Sequence, residues 1–156
     1  METFVSTVAG KEATYKEILS QIQSITEGET DTIANMANIS AILKEAFGLW
    51  WVGFYLVKDS QLVLGPFQGP LACTRIQYGR GVCGTTWRQG STIVVPDVEQ
   101  FPGHIACSSL SRSEIVVPVF NKEGRVTAVL DIDSKDLNSF DSIDAKYLEQ
   151  IASILQ

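Results

Sequence analysis

Histidine is almost absent: the 156 residues hold one, His104. A single imidazole does not complete a persuasive four-ligand zinc set with scattered cysteines. Cysteine is scarce too. Cys73, Cys83 and Cys107 are separated by nine and then twenty-three residues, with no C-x-x-C pair. In a chain whose default address is cytoplasmic, three such residues suit reduced, catalytic or redox-active thiols better than a structural disulfide framework. Basic residues are outnumbered, 12 Lys and Arg against 18 Asp and Glu, for a net charge of -6. That balance argues against a nucleic-acid partner but leaves room for a small cationic ligand. No run approaches the ~18 apolar residues of a membrane span. The opening METFVSTVAGKEATYKE lacks the basic-then-apolar layout of a signal peptide. Repeats, low-complexity segments and linkers are missing as well, so residues 1–156 read as one domain.

What the chain does have is an ordinary globular composition, 45% hydrophobic and 19% charged. Tyr15, Ile18, Leu19, Ile22 and Ile25 recur at helical spacing and predict a helix over residues 11–26. Ile33, Met36, Ile42, Leu43 and Phe47 predict a second, with Asp31 as N-cap and Gly48 as stop. WWVGFYLV and QLVLGPF, joined by the turn-like KDSQ, read as a hairpin, and SEIVVPVF and RVTAVLDID about NKEG as another. GVCGTTWRQG reads as one short helix, STIVVPD as a strand, and residues 141–156 as a closing helix capped by Asp141. The sum is an α+β domain, an antiparallel sheet covered by N- and C-terminal helices.

Strand parity locates a pocket. Residues two apart share a face, so Val126, Ala128, Leu130 and Ile132 point one way and Thr127, Val129, Asp131 and Asp133 the other. A two-residue turn at Lys122–Glu123 sets Glu114 opposite Asp131; one at Glu123–Gly124 sets it opposite Asp133. Either places all three acids together, and a three-residue loop would not. Three such acids form a solvated edge, or they repel until one holds a raised pKa or a cation enters. Carboxylates on paired strands carry no dedicated metal-loop pattern, and no metal is expected. The same parity puts Trp51, Gly53 and Tyr55 on one face, a notch walled by rings, suited to core packing or to a methyl or thioether.

Cys107 stands apart because it lies in HIACSSLSRSEIVVPV, a polar loop running into a strand, where chemistry is usually sited. His104 reads as structural or surface. GRGVCG matches G-x-G-x-x-G only formally, since no preceding strand or long helix frames it. Its glycines still open a helix whose N–H groups suit a carboxylate.

GPLACTRIQYGRGVCG, VVPDV, HIACSSLSRSEIVVPV and AVLDIDS together resemble the free methionine-(R)-sulfoxide reductases, stand-alone GAF domains, over essentially the whole chain. The resemblance implies roles. Cys107 matches the residue that attacks the sulfoxide sulfur, Cys73 its disulfide partner, and Cys83 a third cysteine acting as relay, alternative resolver or contact. Trp51 and Tyr55 match the aromatic wall, and Glu114, Asp131 and Asp133 the acidic substrate-binding positions. The implied chemistry needs no cofactor. A thiolate attacks sulfur while a protonated carboxyl, Glu114 ahead of Asp133, supplies the oxygen's proton. The remaining acids take the ammonium that only the free amino acid carries. The resulting sulfenic acid condenses with a second thiol, and thioredoxin reopens the disulfide. Arg112 and Arg75 are candidates to lower thiol pKa values, and residues 101–113 are expected to close over substrate and rearrange on oxidation. Family members are often dimers. Two other classes are weighed: a non-catalytic GAF small-molecule sensor, and a Cys–His hydrolase that would depend on His104.

Overall fold

Period-two strands and 3.6-residue helices sort the side chains onto the two faces of one sheet. The computed structural model describes residues 10–105 and 107–156. Residues 1–9, where the signal-peptide question falls, and Ala106 of the IACSS motif lie outside them. The helices are α1 (Lys11–Thr26), α2 (Thr32–Phe47), α3 (Gly81–Gln89) and α4 (Ser142–Ser153). The strands are β1 (Trp51–Lys58), β2 (Gln61–Gln68), β3 (Arg75–Gln77), β4 (Ile93–Val95), β5 (Ser113–Phe120) and β6 (Val126–Ser134). They form one six-stranded sheet in the order β3-β2-β1-β6-β5-β4, every neighbour antiparallel. This is the expected α+β layout. No helix among the described residues is long and apolar enough to cross a membrane.

One face carries the main core. Val52 and Phe54 of β1, Ile115, Val117 and Val119 of β5, and Leu130 and Ile132 of β6 pack against Ile18, Ile22, Ile39, Leu43, Leu148 and Ile151 of α1, α2 and α4. Full burial of each such aliphatic side chain stabilises by about 1.5–3 kcal/mol relative to exposure. The helix ends follow the capping signals. Asp31 Oδ1 accepts from Ala34 N at 2.9 Å, and Gly48 closes α2 at φ 61°. Asp141 and Asp144 form a reciprocal capping box at the start of α4. Buried Asp144 also accepts from Tyr15 O–H at 2.5 Å and Lys11 Nζ at 2.6 Å, which ties α4 to α1.

Three details depart from the sequence expectations. β3 pairs with β2 through Ile76 opposite Leu62, yet RIQ offers one apolar residue and no periodic signal. Of STIVVPD only Ile93–Val95 pairs, because Asp97 turns the chain into a short 3-10 helix (Val98–Gln100) by accepting from Glu99 N at 3.0 Å. The β5–β6 loop is no plain two-residue turn: Asn121 Oδ1 accepts from the N–H groups of Glu123 and Arg125. A bulge beside Val119/Phe120 absorbs the irregularity, so inward from Val119–Ala128 the pairing sets Glu114 opposite Asp133. Parity therefore survives a loop that would otherwise have shifted it.

Candidate active site

The second face of the sheet is only partly apolar. Trp51, Tyr55, Val116 and Val129 pack there with Val82 and Cys83 of α3, and the three acids project between them. Glu114 and Asp131 are each 5% exposed and Cys83 is 4% exposed. Cys83 Sγ, one Glu114 oxygen and one Asp131 oxygen lie within 4.8 Å of one another. Asp131 Oδ1 is buried with no hydrogen-bond partner. Asp133 Oδ1 accepts from Ser111 Oγ at 3.1 Å, and His104 Nε2 stands 3.9 Å from Glu114 Oε1.

Electrostatics follow from that crowding. Burial, then the Asp131 charge, pushes the Glu114 carboxyl well above the usual range. Burial raises Asp131 and Asp133 as well, with the Asp133 charge acting on the first and the Glu114 charge on the second. Burial, then the Asp131 charge, raises the Cys83 thiol. Like charges this close cannot all ionise, so the floor retains protons. His104 moves the other way: burial lowers its imidazole pKa.

The aromatic wall comes from β1. The rings of Trp51 and Tyr55 lie 6.1 Å apart, and Trp51 stacks on Phe67 at 5.4 Å. Their polar tips hold the segment bearing Cys73: Trp51 Nε1 donates to Pro70 O and Tyr55 O–H to Cys73 O, each at 3.0 Å. Burial, then the Asp131 charge, raises the Tyr55 hydroxyl pKa, keeping it a donor. Gly53 corrects the notch reading. A Cβ there would overlap Phe67 Cβ and lie 2.9 Å from Phe67 Cα and Trp51 Cη2, so the notch is filled by this chain. The open space adjoins the two rings instead. Gly53→Ala should accordingly cost about 1–3 kcal/mol by overpacking, read as a fall in Tm of about 3–10 °C for a domain of this size.

The cavity mouth is a disulfide. Cys73 and Cys107, 34 residues apart in sequence, are bonded with their Cα atoms 5.5 Å apart. Cys107 is exposed and Cys73 half-buried, while Cys83 is the free, buried cysteine beneath them. All three line the cavity or pack against its wall, together with Trp51, Tyr55, Glu114, Asp131 and Asp133.

Residues 36–156 match the GAF domain family. The X-ray structure of free methionine-R-sulfoxide reductase from Neisseria meningitidis in complex with its substrate is 57% identical, with a TM-score of 0.93, over 99% of this chain and 93% of that one. Free methionine-R-sulfoxide reductase of Escherichia coli is 43% identical over 143 residues, 91% of this chain and 86% of that protein. The chain belongs to the free methionine-R-sulfoxide reductase family of GAF domains. "GAF domain-containing protein A" of Dictyostelium discoideum is 61% identical over 146 residues, 93% of this chain and 92% of that protein.

Within this reductase-family cavity, several lining residues escape sequence reasoning. His104 lines it and faces Glu114, rather than sitting as an ordinary surface residue. Arg80, at the N-cap of α3, is a cation on its lining, whereas Arg75 Nη1 donates to Gln61 Oε1 at 3.0 Å on the β2–β3 edge. Trp50 and Ser111 also line it, and Lys135 Nζ lies 5.7 Å over the Trp50 ring. The signal that could have found Arg80 is its place just before the helix in GRGVCG; Ser111 and Trp50 carried no signal beyond their neighbours. Glutamate, aspartate and thiol donors from Glu114, Asp131 and Cys83 are close enough to meet on one cation.

Proposed function

We propose that this chain reduces free L-methionine (R)-S-oxide to methionine. The observation that carries the reading is the Cys73–Cys107 disulfide at the mouth of a cavity floored by Glu114, Asp131, Asp133 and Cys83. The reductase names of close relatives support the same activity. Residues 1–156 act as one GAF domain in this reading, α1 included, since Tyr15, Ile18 and Ile22 complete the common core.

The zwitterion binds by its parts. The ammonium pairs with Asp131 and Asp133, where Asp131 Oδ1 has an open acceptor. The carboxylate lies at the N–H groups opening α3, at Gly81 and Val82, beside Arg80. The S-methyl end meets the Trp51 and Tyr55 rings. A methionine inside a peptide lacks the free ammonium and would leave the acids unpaired, which selects the free amino acid.

Reduction then proceeds on thiols. The Cys107 thiolate attacks sulfur as Glu114, holding its proton through burial, donates to the sulfoxide oxygen. The S–O bond breaks, methionine leaves, and Cys107 carries the oxygen as a sulfenic acid. Cys73 displaces that oxygen as water and forms the disulfide. The raised thiol pKa and burial of Cys83 suit a pocket contact or late resolver, not the first nucleophile. An external dithiol of the thioredoxin type attacks the exposed Cys107 sulfur and restores both thiols. Residues 101–105 and 107–113 swing between these states, since Cys107 must reach substrate when reduced and Cys73 when oxidised. A cytoplasmic setting and a homodimer complete the reading.

Resolved R and S epimers of free methionine sulfoxide, incubated with the protein and a thiol reductant, test it. Methionine should form from the R epimer alone. No product from either epimer, with the thiols verified as reduced, would favour a GAF small-molecule sensor.

A further inference from the structure

We propose that the cavity floor is also a binding site for a thiophilic divalent cation of the zinc type, held by Cys83 Sγ and the carboxylates of Glu114 and Asp131. Three observations converge there. The three donor atoms lie within 4.8 Å of one another, on β5, β6 and α3. All three residues are at least 95% buried, so their charges have little water to lean on. Asp131 Oδ1, aimed into the same cavity, has no hydrogen-bond partner. Counter-charge is otherwise sparse. Among the described residues the lysine ion pairs go to Asp141 and Asp144, and the one cationic type within 4 Å of this cluster is the His104 imidazole at 3.9 Å from Glu114.

The donor set selects the ion class. Calcium and magnesium take oxygen ligands, whereas a thiolate beside carboxylates suits zinc or cobalt. Zinc–sulfur and zinc–oxygen bonds of about 2.3 and 2.0 Å give tetrahedral donor separations of roughly 3.3–3.5 Å. The side chains therefore need to close by about 1 Å, within reach of small torsional changes, with Asp133 or water in the fourth position. On binding, the cation displaces the protons that the floor holds in its absence, and no redox change occurs. Asp131 cannot serve the cation and a substrate ammonium together, so the ion excludes substrate. That competition rests on the proposed function; the cation site does not.

The oxidised protein gives a clean test, because its disulfide leaves Cys83 as the free thiol. Titration with cobalt(II) should give a thiolate-to-cobalt charge-transfer band saturating at one equivalent, and zinc should bleach it. Cys83→Ser should remove the band, and the isosteric Asp131→Asn and Glu114→Gln should each weaken binding about tenfold or more. No band, or a band of unchanged affinity in both isosteric variants, overturns the site. Circular dichroism of each variant checks that it is folded, and the band is readable even in a chain without reductase activity. Saturating free methionine should bleach the cobalt band; a band that persists overturns the competition and leaves the cation site standing.

Discussion

Cys107→Ser is expected to abolish methionine formation, by roughly 10³-fold or more, since a nucleophile is not replaced by its neighbours. Cys107 is exposed on its loop, whereas Cys83 is 4% exposed and its thiol is raised by burial and the Asp131 charge. Cys73→Ser should behave differently. Its Cys107 still attacks, so without reductant one methionine forms per chain and the reaction stops at a sulfenic acid or, where Cys83 acts as resolver, at a Cys83–Cys107 disulfide. Where Cys83 is a pocket contact, mass spectrometry should find Cys107 one oxygen heavier and a sulfenic-acid trap should label it; where Cys83 resolves, the chain is two hydrogens lighter and no trap labels it. Adding a small thiol should restore slow turnover by reducing the sulfenic acid directly. If Cys73→Ser lost the first turnover while Cys107→Ser kept it, the two roles would be reversed.

Legibility in the sequence varied with the length over which a signal accumulates. Eight-residue strands such as WVGFYLVK and SEIVVPVF announce themselves as aromatic and β-branched runs bounded by turn residues, buried along nearly their whole length. Strand parity, with a two-residue turn assumed between β5 and β6, puts Glu114, Asp131 and Asp133 on one face. Their exact cross-strand partners were ambiguous because register depends on turn geometry, here a bulge that the loop residues NKEG do not encode. β3 was invisible because three residues carry no period, and its strand state is imposed by pairing with β2. Gly53 misled for a different reason. A missing side chain looks like a vacancy, yet Phe67 arrives from a neighbouring strand to fill it. Arg80 and His104 lie on loop or helix-end positions, where direction is set by tertiary contacts rather than by local pattern. The pairing of Cys73 with Cys107 likewise came only through family resemblance, since a sequence separation of 34 says nothing about proximity.

Glu114→Gln should separate catalysis from stability by moving them in opposite directions. Its carboxyl is 5% exposed and is held well above the ordinary range by burial and then by Asp131. In the unfolded chain the same group loses its proton near pH 4.3. Above that point the folded state binds more protons than the unfolded one, so stability falls as pH rises toward the folded value. Gln carries no titrating proton and removes this part of the fall. Thermal unfolding followed from about pH 5 to 8 should therefore show a flatter decline in the variant, with a higher Tm at the alkaline end. Asp131 and Asp133, also raised by burial, keep a residual slope. Catalysis loses the proton donor, and kcat should drop about 10²- to 10⁴-fold. A variant that merely misfolds would lose both activity and Tm. Wild-type stability that climbs over the same interval would mean the floor is ionised and paired with a cation, which removes Glu114 as the acid and leaves the sulfoxide oxygen to another donor.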